Sequence, residues 1–219
     1  MKPTKATVQT TICLLFVATV LVSCESNKLD VDVSSVKADV ELTRLDQEWP
    51  QLTPVSFRKQ QPTNTERLGE LYQHYIEDVL QLGKLQDSNL FNEIRKFTTH
   101  KDMQQVFEDV AIIYPDDESL KNELDNVWSH YQYYFPNSPV PAHMTCMCGF
   151  NNPFILTDKG IGICLEMFLG EKSKFYQYLQ TPRYMRQRMT PSHLALSMMK
   201  AWIESEFAPK SAQTTLLEN

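Results

Sequence analysis

The residues best suited to metal chemistry lie in one short stretch, "HMTCMC", which begins at His143. Imidazole and thiolate are ligands of zinc, but a zinc site needs four protein ligands, or three and a water molecule. If the stretch is a β-strand, alternate side chains point to opposite faces. Cys146 and Cys148 then share one face, and His143 lies on the other. The spacing therefore favours small cysteines packed in a strand over a metal site.

A lone carboxylate, Glu166, stands among apolar residues in "GICLEMFLG". Buried carboxylates tend to have perturbed pKa values, and such groups cluster at functional sites. Burying an unpaired charge is costly, so a neutralising Arg or Lys partner is the more common explanation. Glu166 is thus a candidate site residue, with an ion pair as the expected alternative.

Two histidines resemble fragments of zinc-peptidase motifs. His74 begins "HYIED", in which Asp78 stands where an inverted H-x-x-E-H motif has its second histidine. His193 begins an apolar helix, and Ser197 occupies the position of a second ligand one turn later. The sequence contains no H-E-x-x-H, no G-x-S-x-G and no glycine-rich phosphate loop, and it holds only six glycines. We interpret both histidines as structural.

The strongest chemical signal is Cys24, which ends the apolar run "LLFVATVLVSC". Lys2 and Lys5 precede an apolar region over 11–22, which is shorter than the ~20 residues that a spanning helix needs. This arrangement is typical of a secretory signal peptide. The residues "LVSC" resemble a bacterial lipobox, which implies cleavage after Ser23 and diacylglycerol on the Cys24 sulfur. The alternative is a plain signal peptide followed by an incidental cysteine.

The lipobox divides the chain into a signal peptide over 1–23, a lipid-anchored tether over 24–36 and a single globular domain over 37–219. One acyl chain holds a protein weakly and two or three hold it firmly, so membrane lipid is the expected partner of Cys24. The mature chain has 19 Lys and Arg against 27 Asp and Glu, a net charge of −8. This balance argues against nucleic acid and against an anionic membrane surface as electrostatic partners.

Three cysteines remain in the globular domain, Cys146, Cys148 and Cys164. An odd number of cysteines argues against a disulfide framework, although an oxidising periplasm allows one bridge. The sequence does not decide whether that bridge forms or which two cysteines it joins.

The hydrophobic pattern predicts a largely helical first half. A strand is expected over 40–46, and the prolines over 49–64 indicate an irregular connection. Thr63 and Glu66 have the spacing of a capping box and predict the start of a helix. Apolar residues at helical spacing predict three further helices. These lie over 89–98, 103–113 and 115–136.

The pattern changes after Pro136, where short apolar runs alternate with turn residues. Such runs predict antiparallel strands. The expected strands lie over 142–149, 153–157 and 161–166, and short helices follow over 173–188. The last long helix, 190–207, is apolar on more than one face, so we expect it to be buried together with Trp202. The expected fold class is therefore α+β, mainly α-helical with a small antiparallel sheet.

Four segments, taken in order, resemble landmarks of the GldB family of gliding-motility lipoproteins of Bacteroidetes. They are "RLDQEW", "YQYYFPNSPVP", "GFNNPFILTDKGIGICLEMFLG" and "YLQTPRYMRQRMTP". The resemblance implies a cell-envelope lipoprotein required for gliding, a motility linked to protein secretion across the outer membrane. The implied partners are proteins of the gliding and secretion apparatus. Because Glu25 rather than an aspartate follows Cys24, the outer membrane is the expected location.

The resemblance also implies a distant relation to zinc peptidase-like proteins, and with it a degenerate zincin-like core. If His193 aligns with their first metal ligand, Leu194 replaces the general base and Ser197 the second ligand. We therefore expect a non-enzymatic protein without a metal or other cofactor. A lipid-anchored hydrolase with an unrecognised site is the main alternative. A solute-binding lipoprotein, with a pocket lined by the aromatics of 128–135, is another.

Members of the family usually continue with more helices beyond a segment like "TTLLEN", with which this chain ends. The resemblance therefore implies a C-terminally truncated chain. If helices that cover the core are missing, an apolar patch should be exposed near Trp202, Phe207 and Leu216.

Overall fold

The computed structural model describes residues 31–208, so Cys24 and Leu216 lie outside the described residues. From Val36 onwards the described chain belongs to one compact unit. The strands are β1 Leu42–Arg44, β2 Ala142–Cys146, β3 Phe154–Thr157 and β4 Gly160–Cys164. The α-helices are α1 Leu45–Glu48, α2 Pro54–Leu68, α3 Glu70–His74, α4 Leu90–Thr99, α5 Lys101–Ile113, α6 Asp117–Tyr134, α7 Lys174–Tyr178, α8 Arg183–Arg186 and α9 Pro191–Glu206. Short 3-10 helices cover Trp49–Gln51 and Leu165–Phe168, and a π-helix, Tyr75–Val79, continues α3.

The α+β fold class with mainly helical content is confirmed, but the purely antiparallel sheet is wrong. The four strands form one mixed sheet in the order β1-β2-β4-β3. Strand β2 pairs in parallel with β1 and with β4, whereas β3 and β4 are antiparallel. Parallel neighbours need a long crossover connection, and helices α1–α6 supply it between β1 and β2. The degenerate zincin-like core stays a prediction.

The irregular connection expected over 49–64 is wrong, because helix α2 occupies Pro54–Leu68. The Ser56 N–H donates to Thr53 Oγ1 at 3.1 Å, and the Thr53 N–H donates to Ser56 Oγ at 2.9 Å. This reciprocal capping box, with proline at the first helical position, is typical of a helix start. The helix thus begins well before the start that the sequence predicted at Thr63.

Helices cover both faces of the sheet and divide the core into two parts. On one face, α5, α6 and α9 pack around Ile161 and Ile163 of β4. On the other face, α2, α3 and α4 pack around Met144 of β2 and Cys164 of β4. A Cβ atom on Gly160 would lie 2.9 Å from Leu71 Cδ2, so this glycine is needed for the close approach of α3.

Helix α9 packs on α6 and β3. Leu194, Met198 and Trp202 are buried, which confirms the prediction for Trp202. The expectation of more than one buried face is wrong, because Leu196 is 67% and Ile203 39% exposed. The helix therefore buries a single stripe of side chains one turn apart, as an ordinary amphipathic helix does.

The apolar patch expected at the end of the chain is described only in part. Trp202 is buried. Phe207 is half-buried and packs against Phe135, with 5.4 Å between the ring centroids. Because Leu216 lies outside the described residues, the truncation stays a prediction. Between residues 31 and 208, no helix has both the length and the apolar character that crossing a membrane requires.

Candidate functional site

Glu166 lies in the 3-10 helix after β4, and its side chain is fully buried. Its Oε1 atom accepts hydrogen bonds from the backbone N–H groups of Cys148 and Phe150, the second at 3.2 Å. The Arg or Lys partner that the sequence led us to expect is not found among the described residues, and the buried Oε2 atom has no hydrogen-bond partner there. The carboxyl group is therefore held by backbone N–H groups instead of an ion pair.

These N–H groups come from a turn, residues 147–150, directly after β2. Gly149 and Phe150 both have positive φ angles, of 66° and 63°. Glycine adopts this region freely, whereas it is uncommon and strained for a bulky residue. Such strained residues persist only where their surroundings hold them, and they cluster at functional sites. The turn at Phe150 is therefore a feature that the rest of the fold must stabilise.

Two further contacts hold the same turn. The Tyr75 hydroxyl donates to the Met147 carbonyl at 2.8 Å, and a disulfide joins Cys148 to Cys164 at the end of β4. Tyr75 is the first residue of the π-helix, and single π-turns are rare and frequently lie at functional sites. The turn is thus held by a tyrosine, by a disulfide and by the Glu166 carboxyl group.

The disulfide settles the pairing that the sequence left open and leaves Cys146 as a free, buried thiol. Its Sγ atom lies 3.8 Å from Cys148 Sγ, and the sulfur atoms of the three cysteines lie within 4.8 Å of one another. Metal binding requires thiolates. In the disulfide-bonded form only Cys146 offers a thiol, and burial raises the pKa of that thiol well above its usual value.

Burial raises the pKa of Glu166 to about 7, and the N–H groups of the turn oppose this shift only in part. The titratable neighbours of Glu166 are Tyr75, Cys146 and Tyr176, and burial raises the pKa of each, so all three are neutral at pH 7. The Tyr176 hydroxyl donates to the Glu166 carbonyl at 2.8 Å. In these uncharged surroundings the carboxyl group can bind and release a proton near neutral pH.

Phe150 connects this buried cluster to the surface. Its ring lines a groove of about 910 Å³, together with Val106 of α5 and Phe175 and Tyr178 of α7. The rings of Phe150 and Phe175 are 5.5 Å apart between centroids. Glu166 does not line this groove. A molecule in the groove would therefore contact the turn, whereas the carboxyl group that holds the turn stays behind it.

His143 is buried on β2, on the face opposite Cys146, as the alternation of a strand predicts. Its Nε2 atom accepts a hydrogen bond from Trp128 Nε1 at 2.8 Å. Burial lowers the pKa of His143 to about 4, so the ring is neutral at pH 7. It serves as the hydrogen-bond partner of a core tryptophan and does not share a site with the cysteines.

The other two histidines that the sequence singled out, His193 and His74, lie away from the cluster around Glu166. His193 is exposed in the first turn of α9, with Nδ1 2.7 Å from Thr190 Oγ1. His74 is half-buried on α3, with Nδ1 2.7 Å from Asp78 Oδ2. The side-chain contacts of both are with residues within four positions in the chain, which agrees with their interpretation as structural residues.

The sequence identified Glu166 but missed the turn and Tyr75. The strand predicted over 142–149 runs through the turn, whereas β2 ends at Cys146, so Cys146 and Cys148 do not share a strand face. Gly149 and the "NN" at 151–152 were local signals for a turn. No local signal identifies Tyr75, because its partner Met147 lies 72 positions further along the chain.

The chain is similar to a known family of proteins. No curated protein and no solved structure is significantly similar to the chain. A family model, described as gliding motility protein GldB and named for a lipoprotein, matches residues 26–219. The match contains all four strands and the whole cluster around Glu166. The chain therefore belongs to the GldB family of gliding motility proteins.

Proposed function

We propose that this protein is a non-enzymatic lipoprotein of the cell envelope, anchored through acylated Cys24, that serves the gliding apparatus and the secretion machinery linked to it. The observation that carries the proposal is the family match, which begins at residue 26, two positions after Cys24. The lipobox-like "LVSC" ends where the family region starts. The matched region thus covers all but the first two residues of the proposed mature chain.

The geometry around Glu166 supports a structural role for this residue. Catalysis requires an acid or base within hydrogen-bond reach of a substrate. Glu166 is fully buried, does not line the groove, and uses one oxygen to hold the turn 147–150. Of the aromatics of 128–135 that were expected to line the pocket of a solute-binding lipoprotein, Trp128 and Tyr131 are buried in the core, whereas Tyr133 and Tyr134 are exposed. These placements favour a protein that acts through its surface.

The first prediction concerns the anchor. Cys24→Ser is expected to abolish metabolic labelling with palmitate, because the thiol that would carry the lipid is gone. The wild-type protein is expected to be labelled and to appear in the outer-membrane fraction of a density gradient. Gel mobility and labelling of the immunoprecipitated protein provide the measurement.

Cys146→Ser is the matched control, since it removes a buried thiol elsewhere and should leave the labelling unchanged. Continued labelling of Cys24→Ser would contradict the lipid anchor. Recovery of the wild-type protein with the inner membrane would contradict the proposed location.

A second prediction concerns the residual zinc-peptidase motif. His193→Ala, introduced into the chromosomal gene, is expected to leave gliding intact, because His193 is exposed and its ring contacts the hydroxyl groups of Thr190 and Ser192 at the start of the same helix. His143→Ala is the comparison, since it leaves Trp128 Nε1 buried without its partner and should cost ~1–3 kcal/mol of unfolding free energy. Colony spreading and circular dichroism are the measurements. A folded His193→Ala protein that abolishes gliding would show that this histidine has a chemical role.

A lipid-anchored hydrolase is the second candidate, and one observation favours it. A buried carboxyl group with a pKa of about 7 and no cationic partner among residues 31–208 resembles a catalytic acid. Glu166→Gln separates the two proposals. If the protein is a hydrolase that uses Glu166, the variant protein should fold but the cells that carry it should not glide. If Glu166 has a structural role, the cells should still glide.

A further inference from the structure

The segment over 172–189, which contains α7 and α8, is called the basic segment here. It contains five cations and no acid. The cations are Lys172, Lys174, Arg183, Arg186 and Arg188. Since the mature chain has a net charge of −8 and this segment contributes +5, the rest of the mature chain carries −13. The mature chain is therefore acidic as a whole but contains one strongly basic region.

The basic segment also exposes large apolar side chains. Tyr178 is 87% and Tyr184 71% exposed, and Leu179 and Met185 are 49% and 43% exposed. Single exposed apolar residues need no explanation, but four within eight positions of the chain are typical of an interaction site. The exposed surface of the basic segment is therefore apolar and cationic at once.

The cations of the segment are available to a ligand. Arg183 lies 3.6 Å from Glu171, and Lys174 lies 3.6 Å from Asp109. Both distances exceed those of a charge-assisted hydrogen bond, and exposed pairs of this kind are weak. Arg188 lines a second groove, of about 600 Å³, which has no acidic side chain among its lining residues. An anionic group can thus approach without displacing a strong internal partner.

We propose that the basic segment is the surface by which the domain docks on the anionic phospholipid headgroups of a membrane. Aromatic and other apolar side chains enter the boundary between headgroups and acyl chains, while neighbouring Lys and Arg contact the phosphates. The acids of the rest of the chain are repelled by the same surface. This asymmetric distribution of charge orients the domain so that the basic segment faces the membrane.

A phospholipid surface is favoured over an acidic protein because of the proposed anchor, and this step rests on the proposed acylation of Cys24. Eleven residues, 25–35, separate Cys24 from the compact unit that begins at Val36. Fully extended, they span at most ~40 Å. A tether this short keeps the local concentration of headgroups high, so even weak contacts of the basic segment are sufficient for docking.

The test uses purified residues 25–219, without signal peptide or acyl chain, so its result depends neither on Cys24 nor on gliding. This chain contains the whole described core, which begins at Ala38. Its binding is measured by co-sedimentation with phosphatidylcholine vesicles, with and without one quarter phosphatidylglycerol. We expect binding to the anionic vesicles only, and weaker binding at about 300 mM salt than at about 50 mM.

Two variants of exposed residues locate the surface. Lys172→Glu/Arg183→Glu/Arg188→Glu is expected to bind at least roughly 100-fold more weakly, because each lost cation removes a contribution of about fivefold and each new carboxylate is repelled by the anionic surface. Tyr178→Ser/Tyr184→Ser is expected to bind more weakly at both salt concentrations. The matched control, Arg58→Glu/Lys59→Glu/Arg95→Glu, changes the charge equally at exposed positions outside the segment. It should bind nearly as the wild type does.

Three outcomes would overturn the proposal. They are equal binding to neutral and anionic vesicles, equal losses in the segment variant and the control, and binding to an immobilised acidic polypeptide with none to vesicles. The last outcome would assign the basic segment to an acidic protein partner. Circular dichroism melting of each variant shows that a loss of binding is not a loss of folding.

Discussion

Glu166→Gln is expected to remove a fall in stability that the wild-type protein shows between pH 4.5 and about 7. The pKa of Glu166 is about 7 in the folded protein, against an ordinary value of 4.5. The folded state therefore binds the proton more tightly than the unfolded state. The bound proton therefore stabilises the folded protein, fully so below pH 4.5. This stabilisation, roughly 3 kcal/mol, is lost as the pH rises through about 7.

Glutamine keeps the shape of the side chain and an oxygen that can accept from Cys148 and Phe150. Because it brings no charge into the core, the variant should be more stable than the wild type at about pH 8, by roughly 3 kcal/mol. Near pH 4.5 the two proteins should differ little. Urea unfolding from about pH 4.5 to about pH 8 measures both differences.

Glu66→Gln is the matched control, because Glu66 is exposed on α2 and its removal should leave the pH dependence unchanged. Parallel curves for the wild type and Glu166→Gln would contradict the prediction, since they would mean that Glu166 exchanges no proton in this range. A variant that is less stable at every pH would show that the turn depends on the chemistry of the carboxyl group and not on the shape of the side chain alone.

Most of the helices, with α2 as the exception, and the location of the strands could be predicted from the sequence because their signals are local. The stripe of α6 and the proline at the start of α9 lie within the elements that they define. Strand pairing has no such local signal. Leu42 pairs with His143 across the six intervening helices, so the parallel arrangement depends on how these helices pack. Hence the fold class was predicted, whereas the direction of the strands was not.

Half of the site around Glu166 could be predicted for the same reason. A single acid in an apolar run indicates burial, and Glu166 is buried. Its partners are backbone N–H groups, and these reach it only because Phe150 adopts a positive φ that its residue type does not favour. The disulfide joins Cys148 to Cys164, although the sulfur atoms of all three cysteines lie close enough for other pairings. Such choices are made by tertiary structure, which one sequence does not display.

Trp202→Ala is expected to have the largest effect on stability. Trp202 is 6% exposed and packs edge-on against Trp128, with 5.6 Å between the ring centroids. Removing a buried tryptophan costs ~3–5 kcal/mol through lost burial and the cavity left behind. Among the residues that the structure describes, Trp202 Nε1 is buried without a hydrogen-bond partner, and the loss of that donor offsets part of the cost. We therefore expect a loss near the lower end, ~3 kcal/mol, which is a large part of the stability of a typical domain.

Leu196→Ala provides the control on the same helix, because Leu196 is 67% exposed and its truncation should change the unfolding free energy by less than ~0.5 kcal/mol. Trp202→Phe separates loss of volume from loss of the indole N–H, since it keeps an aromatic ring against Trp128 and removes the unpartnered donor. Its stability should lie close to that of the wild type. If Trp202→Ala and Leu196→Ala cost the same, α9 does not hold the core. The alternative would then be that α5 and α6 stabilise this face of the sheet without it, because their buried residues belong to the same part of the core.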